Sequence, residues 1–287
     1  MNSTGAEFQD FLSRVFFEDL KGNVDPSSHW VFSEFTQAEA FIQAKAPGIA
    51  SGMNYLNAIF NFLPGPEVQV TTKVADGQAI EVGQILAIIQ GTARQLLTAE
   101  RTALNLLQRM CGIASLTHHM VASIAHTNCV LLDTRKTSPL LRAFEKEAVL
   151  HGGGANHRFG LYDMVMLKDN HIDFAGGIPQ AMQAVREGMK ISGKTLPVEI
   201  ETRNLKQVEQ ALQEEGLTRI MFDNFAPDQV REAVAMVGGA LETEASGGIH
   251  AGNLVAYAET GVQFISMGML THSVPALDLS MKSSIHT

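Results

Sequence analysis

Charged and polar side chains end or follow six short apolar segments from about residue 130 onward. Segment by segment, these groups are Asp133, Thr134, Arg135, Lys136 and Thr137; Lys168, Asp169, Asn170 and His171; Glu199 and Glu201; Asp223 and Asn224; Glu244, Ser246, Gly247 and Gly248; and Gly268, Thr271 and His272. Guanidinium groups bind carboxylates and phosphates through paired hydrogen bonds. Neighbouring glycines let backbone N–H groups approach a phosphate closely. The pattern predicts a site for a small, negatively charged molecule.

The apolar segments themselves are predicted strands. They cover residues 130–132, 164–167, 196–200, 220–222, 241–245 and 264–267, with helical patterns between the later ones. Alternating strands and helices indicate parallel strands joined by crossover helices, in a doubly wound sheet or a (β/α) barrel. No strand is followed by a GxGxxG motif, which argues against a dinucleotide site. Polar clusters after six successive strands favour the barrel, whose active site lies at the C-terminal ends of its strands.

Each cluster also has an ordinary structural explanation. Lys168 ends an apolar segment, where a lysine either extends to solvent or serves a site. Glu199 and Glu201 lie two positions apart, so strand periodicity places them on one side, which could also be the solvent side of an edge strand. The Ser-Gly-Gly of residues 246–248 could form a plain turn, but together with Gly268 it favours a phosphate site.

The distribution of charge supports an anionic ligand. The 287-residue chain has a formal net charge of −9 and a pI near 5.6, which argues against general nucleic-acid binding. Residues 135–171 nevertheless contain six Lys or Arg and four Asp or Glu, a net +2 that leaves −11 for the rest. A locally basic site in an acidic protein suits a small polyanionic substrate.

Membrane and secretory classes are not expected. The two long uncharged stretches, residues 46–66 and 110–132, are interrupted by prolines and asparagines or by histidines, so neither is a credible membrane span. The sequence begins without the apolar segment of a secretory signal. Cys111 and Cys129 lack the number and spacing of a disulfide framework or metal site. We therefore expect a cytoplasmic protein.

The first third of the chain predicts a different kind of domain, with mixed helices and strands. Its predicted elements are an amphipathic helix over residues 8–20, a second helix capped by Thr36 and Glu39, strands over 67–74 and 85–89, and a long helix capped by Thr92 and Gln95 that extends through Met110.

Eight ordered segments of the chain resemble the quinolinate phosphoribosyltransferase family. They are ERTALN from residue 100, DTRKT from 133, GGGANHRFGLYD from 152, LKDNH from 167, VEIE from 198, FDN from 222, EASGGI from 244 and SMGMLTH from 266. The resemblance extends from about residue 67 to 282 and implies an α/β protein of two domains. These are an N-terminal α/β sandwich over residues 1–112, on which residues 273–287 could pack, and an irregular (β/α) barrel over 113–272 with about six to seven parallel strands.

The resemblance also implies a reaction and an assembly. The family joins 5-phosphoribosyl-1-pyrophosphate (PRPP) to quinolinate and releases pyrophosphate and CO2, giving nicotinate mononucleotide for NAD biosynthesis. It implies a homodimer or higher even oligomer, in which the small domain of one subunit closes the barrel of its partner. Neither nucleic acid nor membrane is expected as a partner.

Residue roles follow from the same resemblance. Arg101, Arg135, His157 and Arg158 would bind the two carboxylates, and Lys136 and Lys168 would neutralise charge near the reacting centre and the phosphates. Glu201 and Asp223 would stabilise positive charge on the ribose, close to a Mg²⁺ ion held mainly by PRPP. Ser246, Gly247, Gly248 and Gly268 would hold the 5-phosphate, and His272 belongs to the same substrate site.

Two alternatives remain open from the sequence. A class I aldolase-type barrel would use Lys168 as a Schiff-base amine, because neighbouring positive charges favour a neutral lysine. A phosphoribosyl-ligand sensor would keep the pocket and lack turnover. The presence of the full set of charged positions argues against the sensor.

Overall fold

The computed structural model describes residues 5–285, so residues 1–4 and 286–287, at the ends of the predicted domain ranges, lie outside the described part. The chain divides into two compact units. The first comprises the described residues up to His118, Ser138–Gly153 and the described residues from Ser273 onward. The second comprises His119–Thr137 and Gly154–His272. The sequence-based boundary at residue 112 stays a prediction.

Helices and strands alternate along most of the described chain. The strands are β1 (Gln37–Ala44), β2 (Gly48–Ile49), β3 (Gln69–Thr72), β4 (Ala79–Ile80), β5 (Ile85–Thr92), β6 (Val130–Leu132), β7 (Val165–Leu167), β8 (Val198–Thr202), β9 (Arg219–Asp223), β10 (Glu242–Ser246), β11 (Phe264–Ser266) and β12 (Leu279–Ile285). The α-helices are α1 (Ala6–Leu20), α2 (Pro26–Val31), α3 (Leu56–Phe60), α4 (Ala93–Ser123), α5 (Arg142–His151), α6 (Asp169–Ala175), α7 (Ile178–Ser192), α8 (Leu205–Ala211), α9 (Pro227–Val237), α10 (Leu254–Ala258) and α11 (Met269–His272), and Met53–Tyr55 form a 3-10 turn.

The first unit contains an antiparallel sheet with strand order β12-β1-β5-β3. Its first helix, α1, is confirmed as amphipathic, and it buries Phe8, Leu12 and Phe16. The ring of Phe8 lies 4.9 Å from that of Tyr55 and 5.9 Å from that of Phe144, measured between centroids. An aromatic cluster therefore fixes α1 within this unit.

The predicted helix after Thr36 is wrong, because this segment forms β1. Alternate residues of β1 are buried, from Ala38 to Ala44, which is the two-residue period of a half-buried strand. The helix begins earlier, where the Asp25 carboxylate accepts hydrogen bonds from two N–H groups in the first turn of α2 and Pro26 occupies the first helical position. The N-cap of this helix is therefore Asp25, and the capping-box pattern of Thr36 and Glu39 does not mark a helix start.

The long helix α4 starts as predicted but ends later. Thr92 Oγ1 accepts a hydrogen bond from the Gln95 N–H at 3.3 Å, which caps the helix. The helix continues past Met110 to Ser123. Gly112 does not end it, because Ile113 and Ala114 extend its buried face and the sequence contains no proline there.

The second unit confirms the six predicted strands of the C-terminal part. They form one parallel sheet in the order β6-β11-β10-β9-β8-β7. In a flat sheet, five spacings would separate the edge strands β6 and β7 by about 24 Å. Arg135 and Lys168, which follow these edge strands, nevertheless line one cavity. The sheet is therefore curled into an irregular (β/α) barrel, which confirms the predicted fold class.

No helix within residues 5–285 combines the length and hydropathy needed to cross a membrane. Cys111 is buried and Cys129 is half-buried, and neither forms a disulfide in the described chain.

Candidate active site

A cavity of about 800 Å³ lies at the C-terminal ends of the barrel strands. All of its lining residues belong to the second unit. The predicted site residues among them are Arg135, Lys136, His157, Arg158, Lys168, Glu201, Asp223, Ser246, Gly247, Gly248, Gly268 and His272. The strand-end pattern thus brings these groups together, while their individual roles stay predictions.

The loop after β6 is tied to the last helical turn of the barrel. The Lys136 N–H donates to Thr134 Oγ1 at 3.0 Å, and Thr271 Oγ1 donates to the Lys136 carbonyl at 2.8 Å. A Cβ atom added to Gly268 would lie 2.7 Å from Cδ of Lys136 and 3.0 Å from Cδ2 of His272. Glycine at position 268 therefore leaves room for the stem of Lys136 beside His272.

A second glycine position is defined by the loop after β10. Gly247 has φ +92°, and an added Cβ would lie 2.3 Å from Oδ1 of Asn224. Backbone strain and the contact with Asn224 both exclude larger residues here. Ser266 Oγ donates to Ser246 Oγ at 2.9 Å, linking the ends of β10 and β11. The predicted phosphate loop is therefore a backbone-lined surface supported from both neighbouring strands.

Two arginines, Arg135 and Arg158, lie near each other in the cavity lining. Burial, followed by the positive charge of Arg135, lowers the pKa of the Arg158 guanidinium. Nη1 of Arg158 donates to the Met164 carbonyl at 3.2 Å, which holds the side chain in place. Close guanidinium groups disfavour each other unless an anion lies between them, so this pair suits a carboxylate ligand.

The backbone between these arginines is fixed by a buried carboxylate. Asp133 is fully buried, and its Oδ1 accepts a hydrogen bond from the His157 N–H at 2.9 Å. Ala155 adds a parallel bridge to Leu132 at the edge of β6. The segment that bears Arg158 is therefore attached directly to the strand that precedes Arg135.

An acid–base pair joins the ends of two neighbouring barrel strands. Lys168 Nζ donates to Glu201 Oε2 at 2.7 Å, joining the ends of β7 and β8. The Glu201 side chain is 11% exposed and that of Lys168 46%. On the next strand, Asp223 accepts a hydrogen bond from Nδ2 of Asn224 at 2.8 Å. Two carboxylates thus end neighbouring strands, and one of them is paired with lysine.

A network of buried charges lies against His157. Its Nε2 atom lies 3.0 Å from Oε2 of Glu199 and 3.5 Å from Oε2 of Glu244. Arg219 Nη1 donates to the same Glu244 oxygen at 2.8 Å. Burial alone would lower the pKa of His157, but hydrogen bonds and charge attraction from the two carboxylates outweigh it and raise the pKa to about 9. Burial and the charge of Glu244 raise the pKa of Glu199.

Some residues at the site had no role in the sequence-based prediction. His250 and Ser266 line the cavity, and Arg219 joins the network around His157. In the sequence, the signal for Arg219 is its position directly before the apolar segment 220–222. Ser266 was available as the polar end of an apolar segment. His250 carried no pattern that distinguishes it from a surface histidine.

Arg101 is the predicted site residue that the cavity lining does not include. It lies on α4, in the first unit. Its side chain is 69% exposed, and Nη2 lies 3.5 Å from Oε1 of Glu100. An exposed pair of this kind contributes little to stability, so the position leaves Arg101 available for another ligand.

Comparisons with known proteins cover nearly the whole chain. Residues 25–111 match the quinolinate phosphoribosyl transferase N-terminal domain, and residues 113–282 match the C-terminal domain of the same family. A probable nicotinate-nucleotide pyrophosphorylase (carboxylating) of Bacillus subtilis is 41% identical over 275 residues, which cover 96% of this chain and 93% of the relative. A chloroplastic nicotinate-nucleotide pyrophosphorylase (carboxylating) of Oryza sativa subsp. japonica is 42% identical over 285 residues, covering 94% and 76%.

Solved structures agree with the sequence relatives. NadC from Streptococcus pyogenes matches with a TM-score of 0.88 and 34% identity, covering 98% of each chain. The nicotinate-nucleotide pyrophosphorylase from Francisella tularensis matches with a TM-score of 0.89 and 34% identity, covering 97% of this chain and 96% of that one. The fold predicted from the strand pattern is therefore shared with solved structures named NadC and nicotinate-nucleotide pyrophosphorylase.

Proposed function

Because the chain belongs to the quinolinate phosphoribosyltransferase family, we propose that it transfers the phosphoribosyl group of PRPP to quinolinate, with loss of CO2, to form nicotinate mononucleotide. The observation that carries this proposal is that one cavity combines two chemically different groups of residues. One group is the arginine pair Arg135 and Arg158, and the other is two carboxylates with a glycine loop.

The arginine pair suits the acceptor. Quinolinate is a dianion with two adjacent carboxylates, and guanidinium groups bind carboxylates through two parallel hydrogen bonds. Arg135 and Arg158 are close enough for the charge of one to lower the pKa of the other. A dicarboxylate between them would remove this repulsion and orient the ring nitrogen towards C1 of the ribose.

The two carboxylates and the glycine loop suit the phosphoribosyl donor. Residues 246–248 and Gly268 offer backbone N–H groups to the 5-phosphate, a contact that needs no side chain. Glu201 and Asp223 lie at the ends of neighbouring strands, where they would stabilise the positive charge that develops on the ribose. Lys168 holds Glu201 in place through its 2.7 Å hydrogen bond.

The reaction then follows from these positions. The quinolinate nitrogen attacks C1 of the ribose, and the bond from C1 to the pyrophosphate oxygen breaks with its electron pair leaving on the pyrophosphate. Lys136 and Lys168 neutralise the departing charge. The bond between C2 of the ring and its carboxylate breaks next. Its electron pair stays on C2, beside the positively charged ring nitrogen, until a proton replaces the lost CO2.

The donor set of the cavity also fits a magnesium ion bound with PRPP. Glu201 and Asp223 provide the hard carboxylate oxygens that Mg²⁺ prefers. Because Glu201 is already paired with Lys168, the ion would be held mainly by phosphate oxygens and water, with these carboxylates beside it. When bound, Mg²⁺ neutralises charge on the pyrophosphate.

The aldolase-type alternative conflicts with the position of Lys168. A Schiff-base lysine must present a neutral amine to a carbonyl carbon. Here Nζ of Lys168 donates a hydrogen bond to Oε2 of Glu201 at 2.7 Å, so the nitrogen is engaged by a carboxylate. The ion pair therefore supports an electrostatic role for this lysine.

The proposal extends to assembly and location. Arg101 would reach a substrate carboxylate in the cavity of a partner subunit, which requires a homodimer or a higher even oligomer with shared sites. Support for this comes from the exposure of Arg101 on the first unit and from the family resemblance of its segment. A cytoplasmic location stays a prediction from the sequence.

A product assay tests the function directly. The purified protein is incubated with PRPP, magnesium and quinolinate labelled in the 2-carboxylate, and labelled CO2 and nicotinate mononucleotide are measured together. We expect both products in equal amounts. We expect little product with nicotinate or nicotinamide, because both lack the 2-carboxylate of quinolinate. Release of CO2 without nucleotide, or a preference for nicotinate or nicotinamide over quinolinate, would contradict the proposal.

A further inference from the structure

Four ionisable side chains are buried together in the barrel interior. Glu199 and Glu244 are 0% exposed, His157 is 8% exposed and Arg219 is 9% exposed. Barrel interiors are usually filled by layers of branched apolar side chains. Charged groups in such a place lose much of their hydration, and an apolar replacement of similar volume often serves stability as well or better. The network therefore calls for an explanation beyond packing.

The strands set the geometry of this network. Glu199 on β8 is in register with Arg219 on β9, and Arg219 is in register with Glu242 on β10. From this position the guanidinium donates through Nη1 to Glu244 and through Nε and Nη2 to Glu242. It also lies 4.0 Å from the centroid of the Phe264 ring. Arg219 is thus held on several sides and in turn fixes the Glu244 carboxylate.

The two carboxylates then fix His157. Its Nε2 atom lies within 3.5 Å of both Glu199 and Glu244, so one ring nitrogen is directed into the interior. Nδ1 accepts a hydrogen bond from the Arg158 N–H at 2.7 Å. The two carboxylates favour a proton on Nε2, in the neutral ring and in the imidazolium alike. The contacts form a continuous chain from Arg219 through Glu244 and His157 to the Arg158 backbone.

A metal ion is the competing explanation for such a cluster. Ligand atoms of His157, Glu199 and Glu244 all lie within 4.8 Å of one another. However, Arg219 Nη1 already lies 2.8 Å from Glu244 and brings a positive charge to the carboxylates. The guanidinium therefore supplies the cation that a metal would otherwise provide.

We propose that Glu199, Glu244 and Arg219 are positioning residues, which hold the His157 ring and, through it, the Arg158 backbone in the orientation that the dicarboxylate acceptor requires. The proposal rests on the proposed function, because it concerns the acceptor side of the same cavity. It predicts that the network acts on quinolinate and leaves the binding of PRPP unchanged.

Substitution of single carboxylates tests this assignment. Glu199→Gln and Glu244→Gln keep the size of the side chain and remove one charge, and Glu259→Gln removes the carboxylate partner of an exposed histidine, His126, outside the cavity lining. We expect the KM for quinolinate to rise about 10- to 100-fold in the first two variants. The KM for PRPP should stay within about twofold of wild type, and Glu259→Gln should match wild type for both substrates.

A merely structural network would behave differently. It would lower the melting temperature and the yield of folded enzyme without a selective change in either KM. Equal changes in both KM values, or an unchanged KM for quinolinate in folded Glu199→Gln and Glu244→Gln, would overturn the proposal. Thermal melting of each variant beside Glu259→Gln separates loss of folding from loss of positioning.

A spectroscopic measurement on the unaltered protein needs neither turnover nor a stable variant. Nitrogen-15 NMR of the histidine rings, assigned with His157→Gln, should show Nε2 of His157 protonated at neutral pH. An unprotonated Nε2 would overturn the positioning proposal and leave the proposed function intact. A protonated Nε2 in a protein that makes no nucleotide from quinolinate would contradict the proposed function alone.

Discussion

Nζ of Lys168 lies 2.7 Å from Oε2 of Glu201, so a cation after β7 is paired with an anion at the end of β8 inside the candidate active site. In the proposed reaction, the pair would place one positive charge near the phosphates and hold one of the two carboxylates that would stabilise the ribose. Its two members have different exposure, 46% for the lysine side chain and 11% for the glutamate. Removal of either member therefore has a different expected effect.

Lys168→Met should lower kcat/KM for PRPP by at least about tenfold, and up to about a hundredfold, because one charge-assisted contact is lost and Glu201 is left unpaired. Steady-state kinetics at saturating quinolinate measures this effect. Arg186→Met is the matched control, since Arg186 and Glu214 form a pair of similar exposure, 44% and 12%, outside the cavity lining. Equal losses in both variants would show that the Lys168 pair is only a surface ion pair.

Arg135→Ala should weaken quinolinate binding about ten- to a hundredfold, which corresponds to roughly 1.5–3 kcal/mol for a contact with a charged group. Arg135→Lys should not restore the affinity, because an ammonium group cannot form the planar paired contact of a guanidinium. Calorimetric titration of quinolinate measures both variants. Arg231→Ala, at an exposed helical pair with Asp228, serves as the control. Unchanged affinity in Arg135→Ala would remove this residue from the acceptor site.

Asp223→Asn should lower kcat far more than it changes the affinity for quinolinate. The substitution keeps the shape of the side chain and removes the negative charge that would stabilise the developing positive charge on the ribose. Rapid-quench measurement of the first turnover, with saturating magnesium and PRPP, reports the chemical step. Asp228→Asn alters an aspartate whose side chain is 95% exposed and should react as wild type. Wild-type turnover in Asp223→Asn would assign this residue a structural role.

Arg101 should act across a subunit interface. Arg101→Ala and Lys168→Ala should each be strongly impaired alone, and mixing them under subunit exchange should restore much of the activity. In a mixed dimer with shared sites, one site regains both native residues.

Native mass spectrometry of subunits with different tags verifies the exchange. Mixed dimers without activity would show that Arg101 does not complete the partner's site. High activity of Arg101→Ala by itself would show that its pairing with Glu100 is its main contact.

The barrel strands could be predicted because their chemistry is repetitive. Each is a short apolar run whose end carries polar groups, and parallel strands align these ends at one edge of the sheet. The segment after Thr36 could not be assigned by the same means. Its capping-box pattern occurs in a strand, where alternate burial of Ala38, Ala40 and Ile42 outweighs local helix signals.

The buried network was beyond reach of the sequence for a different reason. Arg219 meets Glu244 and Glu199 only because β9 lies between β8 and β10 in a particular register. Strand order and register depend on the packing of the whole sheet and leave no trace in local spacing. The cavity residues, by contrast, needed only the knowledge that strand ends converge.

The antiparallel pairing of β12 with β1 has a consequence for synthesis of the chain. Residues 279–285 form the neighbour of a strand made about 240 residues earlier, at Gln37–Ala44. During translation every strand of the barrel is therefore complete before the first sheet can receive its last member. Until then β1 presents an unpaired edge, which invites pairing with other nascent chains. A chain terminated before residue 279 would contain every barrel strand, while β1 in its first sheet would keep an unpaired edge.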